Sequence, residues 1–393
     1  MKRKLTALIL SALLACCPLA LCADAQTTGE ALGFSLLEQL YLQGENPLIS
    51  PWGLAQALSM AAEGADGETR QELLSLLQTQ APAPLNVSAQ GVTTAAAALF
   101  DDSLILLDSY VQALQAYGAP CLEGLSMEAV NDWAREHTGG RIDPLLTQPL
   151  PDTARLALLT AIALEADWAQ PFDAANTYEQ PFYTAQGAVN ASFLHRTGQM
   201  EYGLAQDMQL LRLPYAGEEL ACYLILPPEE GMEQALSLLK AQGYQLFQDI
   251  EPVQVSLALP KLSLDSGLDL SGHLAALGLS LANSNDADFS GMDGDDGLKL
   301  GPVVQRTRLD LDEAGTQAAS ATAAVMVTKS ALPPQDAVNM TLDRPFILLV
   351  REEASGQTLF AACVLTPQSA ADQPARQDGL QTASEQAQEA NQE

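Results

Sequence analysis

The sequence predicts an α+β fold, on three observations. Helical periodicity fills much of the chain up to Leu77. Alternating or continuously apolar strand patterns dominate from Ala97 onward. Apolar residues make up 48% of the chain, enough for a sizeable core. The length left after removal of an export signal suits two ordinary domains or one large compact one. No internal repeat is visible.

The export signal is the first element, over residues 1–25. Lys2, Arg3 and Lys4 form a basic head, Leu5 to Leu21 an apolar run interrupted by Pro18, and Ala23-Asp24-Ala25 a small-x-small cleavage site before Gln26. The run is short and contains proline, which argues against a membrane span. Leu13-Leu14-Ala15-Cys16 resembles a bacterial lipobox, in which Cys16 would carry lipid. Free secretion and a cell-surface lipoprotein therefore both stay open. The lipobox hints at a bacterial host, where the N-x-S/T sequons at Asn86, Asn190 and Asn339 would mean little.

Thr27 to Leu42 reads as a helix with Ala31, Phe34, Leu37 and Leu40 near one face. Asn46-Pro47 ends it, and Ser50-Pro51 opens a second helix with proline just inside its start. Gly64 to Gly67 is a turn and Glu68 to Leu77 a helix. Ala97 to Leu107 reads as a strand with a turn at Asp101-Asp102, and Ser126 to His137 as a serine-capped helix with Val130 and Trp133 inward. Leu156 to Leu164 is almost continuously apolar, as in a strand covered on both faces. Met208 to Leu213 and Leu220 to Leu226 read as strands, Met232 to Lys240 as a helix, and Val253 to Leu259 as a half-buried strand. From Val303 to Asp312, Val303, Gln305, Thr307, Leu309 and Leu311 share one face and the charged residues the other. Gln305 thus points with the apolar residues, and a buried amide requires hydrogen-bond partners. Pro345 to Val350 and Leu359 to Leu365 form a hairpin around Ser355-Gly356.

Between the last two confident strands lies a long interval, Gly315 to Val338, whose first half is mostly Ala, Ser and Thr. A loop of that length inside a compact domain is uncommon, and is usually functional or disordered. Residues 368–393 are rich in Gln, Ala, Glu and Asp and are expected to be disordered.

The formal charge of −31 disfavours nucleic acid and anionic membranes and favours solubility or basic partner proteins. Cys121, Cys222 and Cys363 are too few and too scattered for a disulfide framework, and are expected to serve as small buried apolar residues. An enzyme is disfavoured: the histidines are His137, His195 and His273 alone, with no GxSxG elbow, HExxH or metal-ligand cluster. No metal or other cofactor is expected.

Several blocks in order resemble the serpin family, over about Ala31 to Pro367. They are Asn46 to Pro51 with Gly64 to Thr69, Asn131-Asp132-Trp133 with Thr138 to Ile142, and Trp168 with Pro171-Phe172. Leu213-Pro214-Tyr215, Leu226-Pro227, Asp288 to Met292, Glu313-Ala314-Gly315-Thr316 and Arg344-Pro345-Phe346 complete them. The resemblance implies a serpin domain over 26–367, with three β-sheets, eight or nine helices, and an exposed reactive-centre loop at about 313–338. It implies a metastable native state and an inhibitor that acts as a suicide substrate: a protease cuts the loop, which inserts into the main sheet as an extra strand.

Insertion needs a flexible hinge, supplied by Gly315, and side chains small enough to enter a packed sheet. Thr316, Ala318, Ser320, Thr322, Ala324 and Met326 would share the inward face, and none carries a charge. The family's spacing puts the cut bond sixteen positions after Glu313, between Lys329 and Ser330. A lysine there suits a trypsin-like protease. A slip of one residue would select Thr328 or Ser330, and a cut after Val325 or Val327 would suit an elastase-like enzyme. A non-inhibitory binding or chaperone role is the other alternative, disfavoured by the small hinge. Pro82 to Leu122 holds no Lys or Arg cluster, so heparin activation is not expected. The active form is expected to be a monomer facing an extracellular serine protease. Three positions depart from the family: Gly53 for serine, Thr160 for asparagine and Gln305 for histidine. Ser50, Thr160 and Gln305 are expected to form a rewired polar cluster under the sheet's opening, and the resemblance puts Trp168 at the head of a central strand.

Overall fold

In the computed structural model, residues 28–124, 126–151, 153–295, 297–316 and 337–367 are described. Among them lie eight α-helices, two 3-10 turns and sixteen strands. Helix α1 (Glu30–Tyr41) buries Phe34, Leu37 and Leu40, as its spacing predicts, and leads into the short β1 (Leu48–Ile49). Ser50 caps α2 (Pro51–Gly64): its Oγ accepts the Gly53 N–H at 3.0 Å, and Pro51 takes the first helical position, where no N–H is needed. Helix α2 is buried nearly all round, which explains its run of small residues. Asp66 caps α3 (Gly67–Leu77).

Strand β2 (Val92–Phe100), helix α4 (Asp108–Ala116) and β3 (Cys121–Glu123) come next. The strand expected from Ala97 to Leu107 thus starts earlier and stops at Phe100. Asp101 accepts the Ser103 N–H at 3.0 Å and turns the chain, and the Leu107 N–H goes to Met292 O rather than to a strand. Helix α5 (Met127–His137) buries Val130 and Trp133, though the Ser126 side chain makes no cap bond. Strand β4 (Leu156–Leu164) is buried at every position, and β5 (Ala166–Asp167) continues its line.

Strands β6 (Tyr178–Thr184), β7 (Gly187–Ala205), β8 (Met208–Pro214) and β9 (Leu220–Leu226) precede helix α6 (Met232–Gln242). Then come β10 (Glu251–Pro260), β11 (Leu262–Asp269), the short helices α7 (Ser271–Ala276) and α8 (Ser290–Asp293), and β12 (Val303–Leu311). Strand β13 (Gly315–Thr316), β14 (Val338–Thr341) and the hairpin of β15 (Phe346–Glu352) and β16 (Thr358–Val364) close the order.

The strands form two hydrogen-bonded sheets. One has seven strands in the order β3-β2-β4-β12-β13-β5, with β11 on the free side of β12. The other has nine, in the path β1-β16-β15-β9-β8-β7-β10-β14, with β6 on β7. Three sheets were implied; two are continuous here because β7 is nineteen residues long. Its first part pairs with β6 and its last part with β8, so one strand belongs to both halves of the larger sheet. One apolar cluster lies between the sheets, a second among α1, α2, α3 and their neighbours, and a third under α5. Cys222 and Cys363 are fully buried free thiols, and burial pushes both well above the usual thiol range. Cys121 is half-buried.

Candidate functional site

Strands β4 and β12 lie side by side and run parallel, from Val303 against Leu158 to Arg308 against Ala163. Beyond that ladder the chain leaves β12, turns, and comes back between the two strand lines. Asp312 makes the turn: its carboxylate accepts the Ala314 N–H at 2.8 Å and the Gly315 N–H at 3.2 Å. Gly315 and Thr316 then pair antiparallel with Asp167 and Ala166 of β5, and Thr316 also faces Leu311 of β12. The sheet is therefore closed along β4 and β12 and holds a two-residue wedge at its end. Only glycine fits the first wedge position, because a Cβ there would lie 2.6 Å from Asp167 Cα and strike Ala166 O.

Trp168 grips this turn from the other side. Its backbone N–H reaches Ala314 O at 2.8 Å and its indole N–H reaches Asp312 O at 3.1 Å. The indole is buried and stacked on Tyr215, with ring centroids 4.5 Å apart. The Tyr215 hydroxyl in turn meets the Thr316 hydroxyl at 2.7 Å, both side chains fully buried. Burial holds the Tyr215 phenol well above its usual range, so it stays neutral.

Glu313 is tied down on the rim. Lys261 Nζ donates to it at 2.8 Å and the Thr177 hydroxyl at 2.9 Å, while its carbonyl accepts the Phe172 N–H. Burial pushes the Glu313 carboxyl up, but the bonds from Lys261, its own backbone N–H and Thr177 outweigh this and leave it below its usual range. A depressed carboxylate contributes stability that is whole above its unfolded value, about 4.3, and is lost as pH falls through the lower folded value. Wild type is therefore expected to exceed Glu313→Gln in stability by about 1 kcal/mol above pH ~5, a gap that closes in more acid solution. Urea melts of both proteins across that range check it; a gap independent of pH would refute the clamp.

Farther down the sheet, Gln305 lies 2% exposed on the inward face of β12, where alternation puts it. Its Oε1 accepts the Ser50 N–H at 2.7 Å and its Nε2 donates to Ser50 O at 2.9 Å. Thr160 stands beside it in register, but its hydroxyl finds no partner among the described residues. Gly53 explains how they fit. A Cβ there would lie 2.9 Å from Gln305 Nε2, 3.2 Å from Thr160 Oγ1 and 3.3 Å from Ser50 Oγ. The amide of Gln305 fills space that a side chain at position 53 would need.

The structure thus brings together Glu313, Gly315, Thr316 and Trp168 at the sheet's end, and Ser50, Thr160 and Gln305 farther along. Ala318, Ser320, Lys329 and Ser330 lie outside the described residues, as do Cys16 and the rest of segment 1–25 and the tail 368–393. Sequence reasoning missed Tyr215, Lys261 and Thr177 as functional side chains. Only Asp312, three residues before Gly315, carried a local turn signal. The histidines serve structure: His137 stacks on Trp133, and His195 stacks on Tyr178 with a ring nitrogen 2.7 Å from Gln180. Burial lowers the pKa of His273.

A family model described as "Serpin (serine protease inhibitor)" matches residues 27–367. The chain is 31% identical to Serpin-Z1A of Triticum aestivum over 360 residues, covering 82% of this chain and 90% of that protein. It is 27% identical to the leukocyte elastase inhibitor of Homo sapiens over 372 residues, covering 85% of this chain and 97% of the relative. In fold it resembles a solved structure of thyroxine-binding globulin in complex with thyroxine, with TM-score 0.77 and 22% identity, over 87% of this chain and 98% of the other.

Proposed function

Because this chain belongs to the serpin family, whose members are typically serine protease inhibitors and not enzymes, we propose that it traps a trypsin-like protease as a suicide substrate cut between Lys329 and Ser330. One observation carries the reading. The first residues of the loop, Gly315 and Thr316, already sit between the lines of β4 and β12, antiparallel to β5 and β12. Continuing that wedge would part the parallel ladder of β4 and β12 and replace it with two antiparallel ladders, which are somewhat more stable per residue. The inward series Ala318, Ser320, Thr322, Ala324 and Met326 offers no charge to bury.

The protease's serine attacks the Lys329 carbonyl, the bond to the Ser330 nitrogen breaks, and the amine leaves with a proton. The protease stays esterified to Lys329. Insertion then carries it along the sheet before water hydrolyses the ester, and its distorted oxyanion hole no longer supports deacylation. Glu313 acts as the fixed end of the moving segment, and Ser50, Thr160 and Gln305 govern how readily β4 and β12 part. Segment 1–25 serves as an export signal, with release or a lipid anchor at Cys16 as its two outcomes; the serpin domain covers 26–367 and a polar tail 368–393.

The name of the human relative supports an elastase-like target as the alternative, through a cut after Val325 or Val327. The fold is also that of a thyroxine-binding globulin, so fold alone leaves inhibition open, and the small hinge favours it. Incubated with trypsin, the protein is expected to give a complex that survives SDS, with a released peptide beginning at Ser330. Lys329→Ala should slow complex formation with trypsin by about 100-fold or more, a barrier increase of about 2.7 kcal/mol. Clean cleavage with no complex, by trypsin or by an elastase, would reject the inhibitory reading.

A further inference from the structure

Beside Trp168, outside the sheet opening, lies a cavity of about 280 Å³. Its walls are mixed: Trp168, Met200, Leu213, Pro214 and Pro252 are apolar, Gln170 and Gln199 are polar, and Arg196 enters from β7. The sequence holds 49 carboxylates against 18 Lys and Arg, yet Arg196 pairs with no carboxylate among the described residues. Its guanidinium lies 5.0 Å from the centre of the Phe172 ring, and one terminal nitrogen donates to Gln170 O. Its Nε is buried and has no hydrogen-bond partner among the described residues.

A desolvated guanidinium without a counter-ion is costly, and a carboxylate offers two oxygens that match its planar donors. Burial draws Arg196 down to about 10, so it remains cationic at neutral pH. The other charges on the cavity wall are Arg212, Glu201 and Glu218. Arg212 and Glu201 satisfy each other at 2.6 Å, which leaves Arg196 as the cation for a guest and Glu218 as a charge that opposes a second anionic group. The cavity thus offers a guest both apolar side chains to lie against and a charged group that fixes its orientation.

We propose that this cavity binds a small, flat organic monocarboxylate, its ring against Trp168 and Met200 and its carboxylate on Arg196. The site is separate from the proposed trapping of a protease, and binding does not require the loop to be cut. Calorimetric titration of the intact protein with 2-naphthoate and with the uncharged 2-naphthamide tests it. The carboxylate should bind at least about tenfold more tightly, a difference of about 1.4 kcal/mol, and should raise the thermal midpoint as any ligand of the folded state does. Arg196→Gln should erase that preference, while Arg196→Lys should keep part of it. Equal affinity for acid and amide, no binding of either, or an undiminished preference in Arg196→Gln would overturn the proposal. The acid–amide comparison uses the unmodified protein, so it decides the matter even where a variant fails to fold.

Discussion

Thr316→Arg is expected to turn the protein from a trap into a substrate. Thr316 is fully buried, with its hydroxyl on that of Tyr215. An arginine there would bring an unpaired charge into a pocket walled by Tyr215 and the ends of β5 and β12. Burial of an uncompensated charge costs several kcal/mol, and each 1.4 kcal/mol is about a factor of ten. Loop insertion should slow by about 100-fold or more, so that hydrolysis of the acyl-enzyme wins. On SDS gels the variant should be cut by trypsin without holding it. Cleaved wild type should resist heat better than the intact protein, and cleaved Thr316→Arg should gain nothing. Thr316→Val is the control: it loses one hydroxyl pair, worth about 1 kcal/mol, and should still trap. Trapping by Thr316→Arg at the wild-type rate would mean that the wedge at Gly315 and Thr316 plays no part in inhibition.

The second large effect is expected at Gln305. Gln305→Ala removes both bonds to the Ser50 backbone and leaves the buried Ser50 N–H without its acceptor. With the cavity that follows, the loss should reach about 3–4 kcal/mol. Gly53→Ser should also destabilise, by about 1–3 kcal/mol, because its Cβ would lie 2.9 Å from the Gln305 amide. Combined in one protein, the two changes should cost at least about 1 kcal/mol less than their sum, since the serine then has the space that the amide vacated. Urea unfolding of the four proteins gives the coupling. Strict additivity would show that Gly53 and Gln305 do not depend on each other. Unchanged stability and unchanged inhibition in Gln305→Ala would remove the cluster of Ser50, Thr160 and Gln305 from the account.

What the chain alone determined about itself is local. The alternation from Val303 to Leu311 placed Gln305 inward, and an almost continuously apolar run marked β4 as covered on both faces. Ser50-Pro51 announced a capped helix, and small side chains around one glycine marked the hinge. These features depend on neighbours a few residues away, so periodicity and turn chemistry reveal them. The blocks resembling serpins implied three sheets and a loop that can enter one of them, which no local pattern contains.

Tertiary structure decided the rest. Ser50 and Gln305 are 255 residues apart, Tyr215 and Thr316 are 101, and Lys261 and Glu313 are 52. Such meetings follow from sheet register and layer packing, and nothing in either segment encodes the partner. The same holds for β2, whose run from Ala95 to Ala98 does not favour a strand; pairing with β4 along its whole length makes it one. It holds for the larger sheet, which stays continuous because β7 is long enough to pair with β6 and β8 in turn. A strand is completed by hydrogen bonds to another chain segment, so its identity is shared between distant parts of the sequence and becomes definite only when they meet.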